Sequence, residues 1–270
     1  MALLQARKIR RVSGLPPLNF TAKNTGALKN YRIYGDTVNG ESVGDRTGNL
    51  FDMSTIVENK YISSSGIETS STAQYQENVL NHTDFINVSN DTAYSLSCTM
   101  PYRIALSNTI AFCWFDDNKS FISRNTNKIS GEIGGINVHG YSFSATSPSN
   151  AAYLIVNFIG YVDGTTYMLN EGSTPLPYEP YGYKVPVTVS NGTDPQTTMI
   201  YLDAPLEKSG NNADYIDYET QKRHNSDGTN EDVTLPEITV TAGTNTLTVG
   251  TEVQPSSVEI KGRIKAAGGD

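Results

Sequence analysis

The stretch MLNEGSTPLPYEPYGYKVPV, residues 168–187, contains four prolines and three tyrosines and ends in an alternation of β-branched residues. Its prolines fix their own φ angles and push the residue before each of them into an extended conformation. Tyr178 and Tyr181 offer broad, flat side chains that can cover the end of a β-domain. The stretch therefore predicts the closed exit of one β-domain, which holds the next module more stiffly than a Gly/Ser linker would.

The rest of the chain also has the composition and patterning of a β protein. Tyr alone occurs 16 times, and Thr, Ser, Asn and Gly are abundant. Short alternating runs such as FINVSNDTAYSLSC (85–98) and AAYLIVNFIG (151–160) are bounded by turn residues, and no window keeps a helical period over three turns. We predict an all-β fold: an antiparallel β-sandwich (jelly-roll), followed by a small C-terminal β-module and preceded by an extended N-terminal arm. The predicted domains are residues 1–48, a basic N-terminal arm and a leading strand; residues 49–182, the jelly-roll; and residues 183–270, the C-terminal β-module.

Charge is distributed unevenly along the chain. The formal net charge is −8, and the first 35 residues hold seven basic and no acidic residues, which leaves −15 for the remainder. A basic arm on an acidic body is typical of a protein that docks onto something negative. We predict that the arm anchors the protein to an acidic protein surface, chiefly through Arg7, Lys8, Arg10 and Arg11; a solvated tail is the alternative. Nucleic acid is not the expected partner, because the arm lacks aromatic residues and the acidic body repels phosphate.

The two cysteines and the hydropathy pattern give limited information. Cys98 and Cys113 lie in strand-like runs, where we expect two small buried thiols, although the spacing leaves a disulfide open. No stretch approaches 18 apolar residues, so we expect no membrane span, and the start MALLQARKIRR does not read as a secretory signal.

Motifs of catalysis are not found in the sequence. We see no zinc-protease, Cys-x-x-Cys, nucleophile-elbow or phosphate-loop pattern, and we expect no cofactor and no metal. Asp116, Asp117 and Asn118 are interpreted as a hairpin turn, with a calcium-type oxygen cluster as the alternative. Adjacent carboxylates on a strand end do not provide the two groups across a cleft that a glycosidase needs.

The run IAFCWFDDN (110–118) is apolar on both faces. Phe112 and Trp114 share one face, and Cys113 and Phe115 share the other, so the strand is expected to be central and covered on both sides. Trp114, the single tryptophan, is then either a core residue or part of a binding groove.

Several segments together resemble a known family. They are YRIYGDTVNGESVGDRTGNLFD (31–52), FDDNKSFIS (115–123), PSNAAYLIVNF (148–158), MLNEGSTPLPYEPYG (168–182) and DAPLEKSGNNADYIDYETQK (203–222). They resemble structural proteins from the tail, baseplate or fibre region of tailed phages and prophages of Gram-positive bacteria. The resemblance covers about nine tenths of the chain and implies a carbohydrate-binding-module-like jelly-roll at residues 49–182, whose last strand returns beside Leu50 and Phe51.

The resemblance implies a function and a set of partners. We expect a non-enzymatic virion structural protein, assembled in the bacterial cytoplasm, that contacts other virion proteins. It should form a homo-oligomer, foremost a trimer or a ring-associated set; a monomer is the alternative. The jelly-roll is a candidate for binding host surface carbohydrate. A capsid or neck decoration protein without glycan binding, and a cell-wall depolymerase, are the alternative functions. The candidate glycan-binding residues are Trp114, Tyr102, Arg103 and Tyr153.

Overall fold

A computed structural model describes residues 18–22, 25–28, 31–35, 37–38, 41–72, 79–100, 109–128, 139–159, 164–191, 195–250, 257–260 and 265–266. These residues form strands, turns and one turn of 3₁₀ helix at Met53–Thr55, with no α-helix among them. The predicted all-β fold is confirmed, and every pairing between the described strands is antiparallel. Within the same residues, no helix is long and apolar enough to cross a membrane.

The strands are numbered in chain order. The first group is β1 (Leu18–Ala22), β2 (Gly26–Ala27), β3 (Tyr31–Tyr34), β4 (Thr37–Val38), β5 (Glu41–Ser42) and β6 (Asp45–Arg46). The middle group is β7 (Lys60–Ile62), β8 (Glu68–Ser70), β9 (Leu80–His82), β10 (Ile86–Asn87), β11 (Ala93–Met100), β12 (Thr109–Phe115), β13 (Phe121–Lys128), β14 (His139–Thr146), β15 (Tyr153–Ile159) and β16 (Thr166–Glu171). The last group is β17 (Tyr183–Ser190), β18 (Pro195–Leu202), β19 (Lys208–Ser209), β20 (Asn212–Ala213), β21 (Tyr215–Asp217), β22 (Lys222–His224), β23 (Asn230–Asp232), β24 (Thr239–Val240), β25 (Gly243–Val249), β26 (Ser257–Ile260) and β27 (Lys265–Ala266).

The chain divides into two compact units. The central unit is Thr47–Tyr181, and the flanking unit combines Met1–Arg46 with Gly182–Asp270. The domain predicted at residues 49–182 corresponds to the central unit. The two segments on either side of it were predicted as an arm with a leading strand and as a separate module, and they instead belong to one discontinuous unit.

The central unit is a two-sheet sandwich. One sheet has the order β10–β15–β12–β13, with β9 pairing further along the same side of β15, and the other has the order β14–β11–β16. Alternate side chains from both sheets meet in one core, which includes Leu96, Phe112 and Leu154, all fully buried. Period-2 alternation sends these residues inward from each strand, so the packing follows from the pattern that the sequence already displayed.

A buried amide closes the central unit. The side chain of Asn49 accepts hydrogen bonds from the amides of Phe51 (2.9 Å) and Leu169 (3.0 Å) and donates to the carbonyls of Tyr167 (2.9 Å) and Glu179 (2.8 Å). The amide of Leu50 also donates to the carbonyl of Leu169 at 2.7 Å. The predicted return of the last strand beside residues 50 and 51 is therefore confirmed.

A hairpin covers part of the outer face of the larger sheet. Strands β7 and β8 form the hairpin, and the buried Asn157 of β15 binds the amide and the carbonyl of Ile62 at 2.9 and 2.8 Å. Ile62 packs there with Cys113, Phe115 and Ile155 in a second, smaller core. Strand β12 is thus apolar on both faces because both faces are covered, as predicted.

The flanking unit has a core of its own, to which both ends of the chain contribute. Strand β1 pairs with β25, and β3 lies between β21 and β26. Phe20 and Ile33 from the N-terminal segment are buried with Val187 and Leu247 from the C-terminal one. The predicted N-terminal arm is therefore corrected from residue 18 onward, because its alternating apolar residues complete the sheets of the C-terminal module. Residues 1–17 lie outside the described part of the chain.

Polar side chains specify how the strands of the flanking unit are aligned. Arg32 of β3 pairs with the buried Asp217 of β21, and Lys222 of β22 pairs with Asp232 of β23 at 2.9 Å. Two residues further along each strand, Tyr34, Tyr215 and His224 form a row of ring contacts across β3, β21 and β22. A slip by one residue would break both rows, so they favour the observed register.

Candidate functional site

Trp114 belongs to the core and not to a groove. Its side chain is 0% exposed, and its Nε1–H donates to Asn125 Oδ1 at 2.6 Å. The rings of Phe112 and Tyr94 lie 5.7 and 6.0 Å from it, centroid to centroid. Of the two roles left open by the sequence, the structure assigns the core role, because the even positions of β12 face the opposite sheet. Trp114 is therefore withdrawn as a glycan-binding candidate.

Of the other predicted site residues, the structure describes Tyr153 alone. Tyr102 and Arg103 lie outside the described residues, as do the anchoring candidates Arg7, Lys8, Arg10 and Arg11. Tyr153 is described, and it is half-buried at the start of β15, on the face of the larger sheet that points away from the main core.

Tyr153 is part of an aromatic patch formed by Phe85, Phe115, Phe121 and Tyr153. The ring of Phe85 lies 5.1 Å from that of Phe115 and 5.6 Å from that of Tyr153, both edge to face. Phe115 also contacts Phe121 edge to face at 5.6 Å. Phe115 is buried beneath the other three rings, which are half-buried. The sheet brings these rings together, because Phe115 pairs in register with both Phe121 and Tyr153.

The turn between β12 and β13 places a lysine over the patch. Asp116 Oδ1 accepts hydrogen bonds from the amides of Asn118 (2.9 Å) and Ser120 (2.8 Å), and the backbone of Asp116 bonds with that of Lys119 and Ser120. Lys119 adopts a left-handed conformation, with φ of 59°. Its ammonium nitrogen lies 4.5 Å from the ring centroid of Phe85 and 5.5 Å from that of Tyr153, within cation–π range.

The same geometry decides between the two interpretations of Asp116, Asp117 and Asn118. Asp116 caps the turn, and Asn118 Nδ2 donates to Asp117 Oδ1 at 2.8 Å. The hairpin-turn interpretation is confirmed. Within the described parts of the chain, no group of three or more His, Cys, Asp or Glu side chains is arranged to hold a metal ion.

The tip of the β7–β8 hairpin borders the patch. Gly66, with φ of +79°, lies so close to Phe121 that an added Cβ would stand 2.3 Å from its ring. The next residue, Ile67, is 65% exposed. The exposed side chains of Asp84, Asp117 and Asn118 flank the rings in sequence, adjoining Phe85 and Lys119. Exposed hydrogen-bonding side chains thus adjoin the ring residues along the chain.

Sequence reasoning found Tyr153 but missed Phe85 and Phe121 as its partners. The signal available was an aromatic residue at the first position of three strand-like runs, each next to a turn. It was not sufficient, because the runs lie up to 68 positions apart and only the sheet order makes them neighbours.

The two cysteines are buried, and neither is bonded to another cysteine, in agreement with the prediction of small buried thiols. Burial raises the pKa of the Cys98 thiol to about 12 and that of the Cys113 thiol to about 12. Both thiols therefore remain protonated near neutral pH, which makes them poor nucleophiles and poor metal ligands.

In comparisons with known proteins, no family model matches the chain, and no curated protein matches it.

Proposed function

We propose that this protein is a non-enzymatic structural protein of a tailed-phage or prophage virion, in the tail, the baseplate or a fibre, and that its central unit contacts host surface glycan. The resemblance of five segments to structural proteins of such particles supports the virion role. The patch of half-buried rings beside polar side chains supports the glycan role, because sugars bind proteins through ring stacking combined with hydrogen bonds to hydroxyls.

The observation that carries the proposal is the insertion of one folded unit into another. The chain leaves the flanking unit after β6 and returns to it at β17, and these two strands pair with each other, Arg46 opposite Tyr183. Each unit has a separate hydrophobic core. Such an insertion allows the central unit to be displayed without breaking the sheets of the unit that carries it.

The remaining parts of the proposal concern assembly. The basic arm, with Arg7, Lys8, Arg10 and Arg11, anchors the flanking unit to other virion proteins, and the flanking unit contributes to contacts within a homo-oligomer, foremost a trimer. Charge complementarity supports this assignment, since a basic segment precedes an otherwise acidic chain.

A decoration protein of the capsid or neck without glycan binding is the second candidate. It is favoured by the position of Lys119, whose ammonium lies across the two outer rings and gives the patch a purely structural partner. Binding measurements with purified glycans separate the two candidates.

Deletion of residues 2–17 tests the anchor. The deletion must stop there, because β1 begins at Leu18 and belongs to the core of the flanking unit. We expect a folded protein that no longer joins particles, whereas a variant with Arg7, Arg10 and Arg11 changed to Lys keeps the charge and is incorporated. Normal incorporation of the deletion variant would overturn the anchor. Release of soluble sugars from host cell walls by the purified protein would overturn the non-enzymatic assignment.

A further inference from the structure

We infer that the aromatic patch of the central unit is the sugar-contact site and that it takes a neutral pyranose of a cell-wall polysaccharide, not a phosphate-bearing polymer. This inference rests on the proposed function and adds to it both the location of the site and the chemical class of its ligand.

The rings are held in position before any ligand arrives. Phe115 contacts Phe85 and Phe121 edge to face. The pairing of β12 with β13 and β15 fixes the positions of Phe115, Phe121 and Tyr153, and Phe85 directly precedes β10, which pairs with β15. Gly66 lies against Phe121 from the hairpin side. Tyr153 and Phe85 are only half-buried, and the group lying over their rings is the ammonium of the exposed Lys119 side chain. A preformed platform of this kind loses little conformational entropy on binding.

Hydrogen-bonding groups adjoin the ring residues in the sequence, and the Lys119 ammonium lies over two of the rings. Lys119, Asn118 and Asp117 are exposed in one turn, and Asp84 is exposed directly before Phe85. Carboxylate, amide and ammonium groups together can accept from and donate to sugar hydroxyls. The Lys119 ammonium, on a flexible four-carbon stem, can leave the rings for a hydroxyl when a pyranose stacks on them.

The charges around the rings select against phosphate. Asp84, Asp116 and Asp117 adjoin the patch in sequence, and Lys119 is the basic residue of the same turn. The chain beyond residue 35 is acidic as a whole. A polymer of sugar or polyol phosphates would meet repulsion at such a surface, whereas a neutral pyranose would not.

The test uses the full chain and two polysaccharide fractions, neutral and phosphate-bearing, separated by anion exchange from Gram-positive cell walls. We expect the wild-type protein to bind the neutral fraction. Tyr153→Ala and Phe85→Leu should each weaken this binding about tenfold, the order of loss found when one stacked aromatic ring is removed. Tyr153→Phe, which keeps the ring, should stay within about threefold of the wild type by the same reasoning.

Tyr178→Ala is the matched control, because Tyr178 is 52% exposed in the proline-rich exit of the same unit. It should bind like the wild type. Phe85→Leu keeps most of the apolar volume, so it reports on stacking even if Tyr153→Ala unfolds the unit; thermal unfolding checks each variant.

Three results would overturn the inference, and they are distinguishable. Binding of the neutral fraction that is unchanged in Phe85→Leu and in folded Tyr153→Ala would refute the location but leave glycan binding intact. Binding of the phosphate-bearing fraction in preference to the neutral one would refute the ligand class. Binding to neither fraction would refute the glycan role of the proposed function together with this site.

Discussion

At the scale of single residues, the side-chain amide of Asn49 bonds to backbone groups in the way that a neighbouring strand would. It is 4% exposed and uses both donors and both acceptor positions on backbone groups of residues 51, 167, 169 and 179. In the sequence, an Asn between Gly48 and Leu50 reads as part of a turn, so this role could not be predicted. It depends on the last strand arriving beside the first, which is a long-range event.

Asn49→Ala should therefore destabilise the central unit strongly. Two amides and two carbonyls lose their partner in a closed seam, so we expect a loss of about 3 kcal/mol or more in the free energy of unfolding. The measurement is urea denaturation followed by the fluorescence of Trp114, which is the single tryptophan and lies in this unit. Asn90→Ala is the control, since Asn90 is exposed and its side chain donates one hydrogen bond, to the Ser149 carbonyl. Similar effects of the two changes would contradict the role of Asn49.

Trp114→Ala tests the assignment of Trp114 to the core of the central unit. Removing a fully buried indole should cost about 3–5 kcal/mol of unfolding free energy, because a large cavity opens between the two sheets. Since this change removes the fluorophore, near-ultraviolet circular dichroism and calorimetry take the place of fluorescence. A variant that unfolds at the wild-type temperature but no longer binds glycan would restore Trp114 as a groove residue.

The carboxyl of Asp214 makes the stability of the flanking unit depend on pH. Burial of its carboxyl opposes ionisation, but hydrogen bonds from the amides of Glu207 and Ser226 and from the Arg223 guanidinium outweigh it and hold its pKa below the ordinary value. A carboxyl with a lowered folded-state pKa contributes stability above its unfolded pKa, about 3.9, and loses it as pH falls through the folded value.

Asp214→Asn should abolish this acid dependence. It should also cost about 3–5 kcal/mol at neutral pH, because Arg223 is left buried without its countercharge. Unfolding of the flanking unit, measured by calorimetry between neutral and strongly acidic pH, provides the readout. Parallel curves for wild type and variant over the acid range would show that Asp214 does not control the pH response.

At the scale of elements, the strands themselves were easier to predict than which strands pair with each other. The alternation in β12 and β15 indicated which residues face each core, and the structure places Phe112, Cys113, Leu154 and Ile155 accordingly. Neither pattern indicates that Phe115 pairs with Tyr153 or that β1 pairs with β25, because such pairings join distant residues. The aromatic patch and the flanking unit both depend on these pairings. For this reason the sequence predicted only Tyr153 of the patch, and it predicted two separate domains where the structure has one flanking unit.

Adding one methyl group at Gly66, in the β7–β8 hairpin, should lower the stability of the central unit. In Gly66→Ala, the new Cβ would meet the ring of Phe121, and the left-handed φ adds strain. Gly172→Ala is the matched control in the same unit, because Gly172 has φ of +116° but its nearest neighbour would lie 3.7 Å from the Cβ. We expect Gly66→Ala to cost about 1–3 kcal/mol more than the control in Trp114-detected unfolding. Equal losses would mean that the hairpin does not pack on Phe121.

At the scale of the whole molecule, the chain is one β unit carrying another. The flanking unit draws its core from both ends of the chain, and the central unit occupies the interval from Thr47 to Tyr181 with a core of its own. This organisation explains the proline-rich exit. Residues 174–176 are held by Asn170, and the Glu179 carboxylate accepts from the amide of Gly48 at 3.0 Å, so the two ends of the central unit are tied together.

The central claim is that the inserted unit folds independently and carries the glycan-contact surface. The most direct test compares residues 47–181, produced alone, with the full chain in binding to the neutral cell-wall polysaccharide fraction. The account predicts that the excised unit is folded and binds with an affinity within about threefold of the full chain. An excised unit that does not fold, or a folded one that does not bind while the full chain does, would contradict it.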